Sequence, residues 1–321
     1  MNARQITSKF GRSAEDDQVE ELFSQLGTLK RPSLPEDDKY VYHDWVLVRR
    51  KGVELGFTDS AYQSAAPRSR WGHGELILTQ AYFYTGFDDI QPFTGELPYG
   101  LLFSDNRETV RRKLTKFDAT RHSHVTDTWD VEGYRLRIQY VAGAKEGIDR
   151  IACRVMAQPL QPKYKPQWPT LQQITDAFGA RLDAPEFTGL WGNYLGAHQK
   201  KEAREDGEID FKEIFGATLA LAEDNATAPV FRSITLHRNR DSESVGWGGS
   251  LPANLDFEDS PETLFSKIKQ SAVQQADSAL TGHAVWHFPD YTLHVLYSNI
   301  DNRLLRVKLI SPGSWKCIED E

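Results

Sequence analysis

Leu97-Pro98-Tyr99-Gly100-Leu101-Leu102-Phe103-Ser104-Asp105-Asn106-Arg107-Glu108-Thr109 returns later in the chain in degenerate form. The second version reads Leu251-Pro252-Ala253-Asn254-Leu255-Asp256-Phe257-Glu258-Asp259-Ser260-Pro261-Glu262-Thr263, at a constant offset of 154 residues. Leu, Pro, Leu, Phe, Asp, Glu and Thr coincide, and the match runs on to Lys113 and Lys267, with Leu114 opposite Ile268. Further on, Trp129 pairs with Trp286, and Tyr134–Tyr140 with Tyr291–Tyr297, at an offset of 157. Ile151–Val155 and Leu305–Leu309 return to 154, and upstream Phe10-Gly11 with Leu26-Gly27 resembles Phe178-Gly179 with Leu195-Gly196. Matching blocks in the same order identify an internal duplication.

Each block has a physical reading. Leu-Pro-x-x-Leu-x-Phe alternates apolar positions and predicts a short strand. Asp105 with Glu108, and Asp259 with Glu262, have the spacing of a capping box, and Pro261 suits a first helical turn. Val110 and Leu114, like Leu264 and Ile268, recur four apart on a buried stripe. Tyr134, Leu136, Ile138 and Tyr140 alternate with polar residues, as a half-buried antiparallel strand requires. Gly143 to Gly147 reads as the turn before a returning strand at Ile151–Val155, and Ser298 to Asn302 as its counterpart. Ahead of the first Leu-Pro block, Glu20–Leu26 reads as a helix ended by Gly27, and Tyr40–Val48, Val53–Phe57 and Leu76–Tyr84 as strands. In the second half Ala184–Leu195 reads as helix, and Ala217–Ala222 and Phe231–Leu236 as strands. The expected fold is α+β: two tandem divergent copies of an antiparallel-sheet module with helices packed on one face. The copies are placed at 1–157 and 170–321. Residues 158–169, with prolines at 159, 162, 166 and 169, read as an extended linker.

Composition narrows the function. The chain has 321 residues, 38 basic and 46 acidic, so its net charge is −8. Residues 1–160 carry 22 Lys/Arg against 23 Asp/Glu, whereas residues 161–321 carry 16 against 23, which makes the second half the acidic one. Direct binding of DNA or RNA is not expected, because a generic nucleic-acid binder needs a positive footprint. No apolar run is long enough to span a bilayer, and Met1-Asn2-Ala3-Arg4-Gln5 leads into a polar stretch without an apolar signal core. Cys153 and Cys317 are too few for a disulfide framework or a zinc cluster, which suits a reducing cytoplasm.

Gly246-Trp247-Gly248-Gly249 lacks the Lys-Ser/Thr of a phosphate loop and opens onto Ser250-Leu251-Pro252 rather than a helix, so it reads as a tight connection. Trp71-Gly72-His73-Gly74 reads the same way. His122 and His124, with Asp127 nearby, offer two or three ligands where a firm metal site needs three or four with outer support. His283 and His287 flank Trp286 without a positioned nucleophile. Cys153 reads as a buried small hydrophobe, and Trp129, Trp286, Tyr134 and Tyr291 as core anchors. The recurrent Asp105, Glu108, Asp259 and Glu262 are explained by capping. No catalytic residue, metal or cofactor is therefore expected. The remaining signal is Lys200–Glu213, with ten charges in fourteen residues, six of them acidic. Such a run is ordinarily a solvated face. Lying in the acidic half, it also suits electrostatic docking to a basic partner, and Glu202, Glu205, Asp206, Glu208 and Asp210 are the candidate contacts.

The sequence resembles a group of bacterial immunity proteins found beside secreted antibacterial toxins. The resemblance rests on Phe10-Gly11-Arg12-Ser13-Ala14 with the acidic helix behind it, on Gly52–Asp59 followed by Tyr62, and on Leu76–Tyr84. Pro92–Leu101, Arg107–Arg111 and Trp129-Asp130 through Tyr140 complete it. It covers residues 10–156 well and the second half loosely, with Asn254 where the pattern has Gly and Pro261 where it has Arg. What it implies is a cytoplasmic protein, without enzymatic activity of its own, that binds and neutralises one cognate toxin, a nuclease effector of a type VI secretion system. The protein would act as a monomer or homodimer. Two alternatives remain: an adaptor or chaperone that loads an effector, and a metal-dependent enzyme centred on His122 and His124.

Overall fold

The chain divides into two units, Met1–Gln158 and Pro159–Glu321, in a computed structural model that describes residues 1–35, 40–117, 120–142, 146–223 and 229–315. The first unit opens with α1 (Ala3–Thr7) and α2 (Asp17–Leu26), followed by β1 (His43–Val48), β2 (Val53–Asp59), α3 (Ser60–Gln63) and β3 (Leu76–Tyr84). After the Leu97 block come α4 (Arg107–Lys113), β4 (Thr120–His122), β5 (Thr126–Val131), β6 (Tyr134–Tyr140) and β7 (Ile148–Arg154). The second unit holds α5 (Leu171–Asp176), α6 (Pro185–Trp191), α7 (Ala197–Glu205), β8 (Glu208–Phe211), β9 (Ala217–Glu223) and β10 (Pro229–His237). It ends with α8 (Pro261–Lys267), β11 (Gln274–Asp277), β12 (Thr281–His287), β13 (Thr292–Ser298) and β14 (Arg303–Ile310).

Each unit contains one seven-stranded sheet, and the two sheets have the same order. The first runs β1-β2-β3-β7-β6-β5-β4 and the second β8-β9-β10-β14-β13-β12-β11, with antiparallel pairs throughout. The duplication read from the sequence is thus a duplication of topology. Register repeats with it: Trp129 stands opposite Leu136, and Trp286 opposite Leu293. Both tryptophans are buried in their unit's core, where truncation to Ala costs about 3–5 kcal/mol. Upstream, the N–H groups of Gly11 and Gly179 donate to Leu78 and Phe231, both at 2.8 Å. Phe23 of α2 lies 5.8 Å from Phe57 of β2, ring centre to ring centre, and Val19, Leu22, Val110 and Leu114 join the same core as Leu55, Phe83 and Ile151.

The Leu-Pro block departs from its expected form. It is a 3₁₀ turn, not a strand, at Pro98–Gly100 and Pro252–Asn254. Proline supplies no N–H to a ladder, and left-handed backbone at Tyr99 (φ 57°) and Ala253 (φ 54°) cannot continue a strand. The helix cap is likewise displaced by one residue, and it is a single N-cap bond without the reciprocal arm of a box. Asn106 and Ser260 cap the helices through the N–H groups of Thr109 (2.9 Å) and Thr263 (3.1 Å).

Asp105 and Asp259 do something else. Asp105 accepts the N–H of Leu102 at 2.8 Å and the ammonium of Lys113 at 2.7 Å, while Lys113 also donates to the carbonyl of Gly100 at 2.8 Å. Asp259 takes the N–H of Asp256 at 2.7 Å and the ammonium of Lys267 at 2.7 Å, and Lys267 donates to the carbonyl of Asn254 at 2.8 Å. This clasp closes the turn onto the far end of the helix in both units.

Two further expectations change. The fold is mostly sheet, because the helices are short. Gly196 does not end a helix as Gly27 does at φ 66°; it precedes α7 with φ −73°. Part of the expected turn at Gly143–Gly147, and Cys317, lie outside the described residues. The proline-rich stretch is held by the second unit: the N–H of Leu160 donates to Asn239 at 2.9 Å and Trp168 Nε1 to the carbonyl of Phe215 at 3.0 Å. Gly248 and Gly249 fit against Trp168, whose ring would lie 2.7 Å from a Cβ at Gly248, so the glycines make room for an aromatic ring. Among the described residues no helix is long and apolar enough to cross a membrane.

Removing the lysine of either clasp leaves a carboxylate that is about nine-tenths buried without its counter-charge. Lys113→Met and Lys267→Met are each expected to lower the unfolding free energy by about 1–3 kcal/mol. Urea denaturation followed by tryptophan fluorescence measures this, and unchanged midpoints would remove the clasp from the account of stability.

Candidate functional site

The acidic run folds into a helix, a tight turn and an edge strand. α7 begins where the N–H of Gly196 meets Gln199 Oε1 at 3.2 Å, and it closes where the N–H of Asp206 donates to the carbonyl of Glu202 at 2.8 Å. Ala203 is buried on its inner side. Gly207, with positive φ, turns the chain into β8, and its carbonyl accepts the N–H of Leu221 at 2.7 Å. In β8, Ile209 and Phe211 enter the core while Glu208 and Asp210 face outward. A run that reads as solvated charge therefore carries just enough apolar residues, at the right alternation, to be pinned to the sheet.

The consequence is a concentrated negative edge. Glu205, Asp206, Glu208 and Asp210 are exposed, and Glu202 is half-buried. The segment 202–210 holds these five carboxylates against one cation, Arg204. Two have ion-pair partners, Glu205 with Lys201 at 3.5 Å and Asp210 with Lys212 at 3.0 Å, and Glu202 lies 3.7 Å from His198 Nε2. Solvent-exposed pairs of this kind hold each other weakly, so their lysines can be exchanged for the cations of a partner.

The other candidate groups are used inside the fold. Asp127 is fully buried, and accepts Arg111 Nε at 2.8 Å, His122 Nδ1 at 2.8 Å and the Tyr140 hydroxyl at 3.0 Å. Burial raises its pKa, but the hydrogen bonds from His122 and Arg111 outweigh this and hold it at about 2. Its partners come from α4, β4 and β6, and of the three only His122 stands near it in the sequence. The chain at His124 contributes its carbonyl to Arg107 at 3.1 Å. Among the described residues no group of three or more His, Cys, Asp and Glu side chains is placed to hold a metal ion. Burial pushes the Cys153 thiol well above its usual range, as expected of an inert core residue.

In the second unit, His287 pairs with the Thr292 hydroxyl at 2.9 Å, and His283 lies edge-on to His294, 5.3 Å between ring centres. His294 is not among the candidate histidines that the sequence offers. Burial, aided by His283 and Lys308, lowers its pKa to about 4, and Trp315 packs 5.3 Å away on its other side. A partly buried carboxylate, Asp241, is held down in pKa by His237 and Arg306 against the opposing effect of burial.

Comparison with known proteins returns no match: no family model fits the chain, and neither a curated protein nor a solved structure matches it.

His294 is neutral in the folded unit and titrates near 6.5 when unfolded, so the unfolded chain binds the proton first as pH falls. Stability is expected to be full above pH 6.5 and to decline by roughly 1–3 kcal/mol between pH 6.5 and 4. Chemical denaturation across that range, compared with His294→Gln, checks it; an identical pH slope in the variant would refute the assignment.

Proposed function

We propose that this chain is an immunity protein that binds and neutralises a cognate antibacterial toxin in the cytoplasm, the toxin being a nuclease effector of a type VI secretion system. A nuclease presents a basic surface to its polyanionic substrate, and the α7–β8 edge offers that surface a competing set of carboxylates. The observation that carries the reading is the geometry of that edge: Glu205, Asp206, Glu208 and Asp210 stand exposed on a helix–turn–strand anchored by Ala203, Ile209 and Phe211. A charged surface held by a buried anchor keeps its arrangement before the partner arrives, which limits the ordering cost of association.

The architecture behind the proposal is a duplicated module in which the helices cover one face of each sheet. Supporting this are the shared cores that α2 and α4 form with inward strand residues in the first unit, and the matching set around Phe187, Trp191 and Leu264 in the second. A toxin would be met by a preformed surface without any need for turnover chemistry.

The test is a mixture of the purified chain with the toxin encoded by the neighbouring gene. The expected result is a stable complex in which nuclease activity is lost. The triple reversal Glu205→Lys, Asp206→Lys, Glu208→Lys should weaken it on the order of 100-fold and flatten its dependence on salt. A chain that neither binds the toxin nor protects cells producing it would reject the proposal. A complex in which the nuclease still cuts would point to an effector-loading adaptor.

A further inference from the structure

Each sheet ends in two edge strands, β1 and β4 in the first unit and β8 and β11 in the second. An edge strand presents unpaired backbone groups, and folded proteins guard it with charge, with brevity or with a covering segment. Three of these edges are guarded. β1 is covered by the chain before it: Lys30 donates to the carbonyl of Trp45, and the N–H of Ser33 to Asp44 Oδ2 at 2.8 Å. β4 is three residues long and carries Arg121 and His122. β8 carries the outward Glu208 and Asp210.

β11, at four residues, is as short as β8, but among the described residues it has neither an outward charge nor a covering segment. From Gln270 to Thr281 the sequence holds one charged residue, Asp277, and neither Lys, Arg nor Pro. Gln275, Ala276, Asp277 and Ser278 are all exposed, and the strand is flanked by Val273 and Leu280, which are 48% and 65% exposed although apolar. Asp277 does not act as a guard, because its carboxylate is turned back onto its own sheet. It accepts the Tyr297 hydroxyl at 3.0 Å and Asn299 Nδ2 at 2.8 Å, lying over Gly282, where a Cβ would approach it to 2.1 Å.

The backbone fixes which groups face outward. The N–H of Ser278 donates to Thr281 at 2.9 Å, and Ala276 stands opposite His283. In an antiparallel ladder the residues between these, Gln275 and Asp277, direct their N–H and C=O groups away from β12.

We propose that β11 is a dimerisation edge, pairing antiparallel with β11 of a second copy about a two-fold axis through Ala276. In this register Gln275 of each chain exchanges both backbone hydrogen bonds with Asp277 of the other. The two Asp277 carboxylates are kept apart, each held on its own sheet by Tyr297 and Asn299, with Gln275 Nε2 of the same chain donating to it at 3.2 Å. The group that crosses the axis is the small, uncharged Ala276. The strand therefore meets its own copy without like charges face to face and with little bulk at the axis, as an isologous interface demands. The other guarded edges would bring like charges or a covering segment against themselves. Pairing would join the two seven-stranded sheets of the second units into one continuous sheet, by the same strand addition through which sheets take up extended segments.

Sedimentation equilibrium on the full chain tests this. At about 100 μM, where a contact of Kd up to about 10 μM is populated, the expected mass is twice the 36.5 kDa of the chain. Ala276→Lys places two ammonium groups face to face and should weaken the dimer by at least about tenfold. Ala276→Glu should do the same. An equimolar mixture of the two variants should regain the dimer, a rescue that misfolding could not produce; far-UV circular dichroism of each variant should match the parent. A monomeric parent chain would overturn the proposal, as would a dimer untouched by either variant. Occupation of β11 only by another protein's strand would show as a monomer that Ala276→Lys leaves unchanged in mass.

Discussion

A carboxylate and an ammonium eight residues apart hold the two halves of each module together. Asp105 with Lys113, and Asp259 with Lys267, close a loop that includes a left-handed turn, a helix cap and one short helix. The turn is unfavourable on its own, since tyrosine and alanine seldom adopt positive φ. The helix is also too short to persist unaided. Each becomes stable because the other supplies its partner: the lysine at the helix end satisfies a turn carbonyl, and the aspartate before the helix satisfies a turn N–H. With that corner closed, the preceding meander and the following meander meet along β3 and β7, or β10 and β14, the long-range pairings of each sheet.

The duplicated frame has diverged where the frame does not constrain it. Asp127 and Ala284 occupy the same place in their ladders, opposite Ile138 and Val295. The first unit builds a buried hydrogen-bonded carboxylate there, and the second fills the space with a methyl group. Tyr140 and Tyr297 both keep a hydroxyl bound to a carboxylate, but in the second unit that carboxylate is Asp277 of β11 instead. The polar network has moved one residue type at a time while the strand order stayed the same.

Much of the frame was legible in the sequence. Leu76–Tyr84 and Tyr134–Tyr140 are strands from end to end as expected; the second alternates apolar with polar residues, and the first is a continuous run rich in apolar and aromatic residues. α2 ends at Gly27 as expected. The sequence reading names no strand at β4, β5, β8, β11 or β12, and three of these, β4, β8 and β11, stand at edges. Gln274-Gln275-Ala276-Asp277 has no apolar rhythm of its own, and its strand character comes from the ladder of β12. The same distinction holds for function. The charge of Glu202 to Asp210 is visible in the sequence, and so is its exposure. The hydrogen bonds that take Asp127 and Asp105 out of consideration as reactive groups depend on residues brought together by register and helix position.

The left-handed turns carry one more implication. In the first copy the two positive-φ positions are Tyr99 and Gly100, so one of them is relaxed; in the second they are Ala253 and Asn254, and neither is glycine. The same corner therefore lacks the relief of a glycine in the later copy, and its closure has more opposing tension to overcome. Two hinges of equal shape thus differ in how readily they spring open, which makes the C-terminal module the one whose corner yields first.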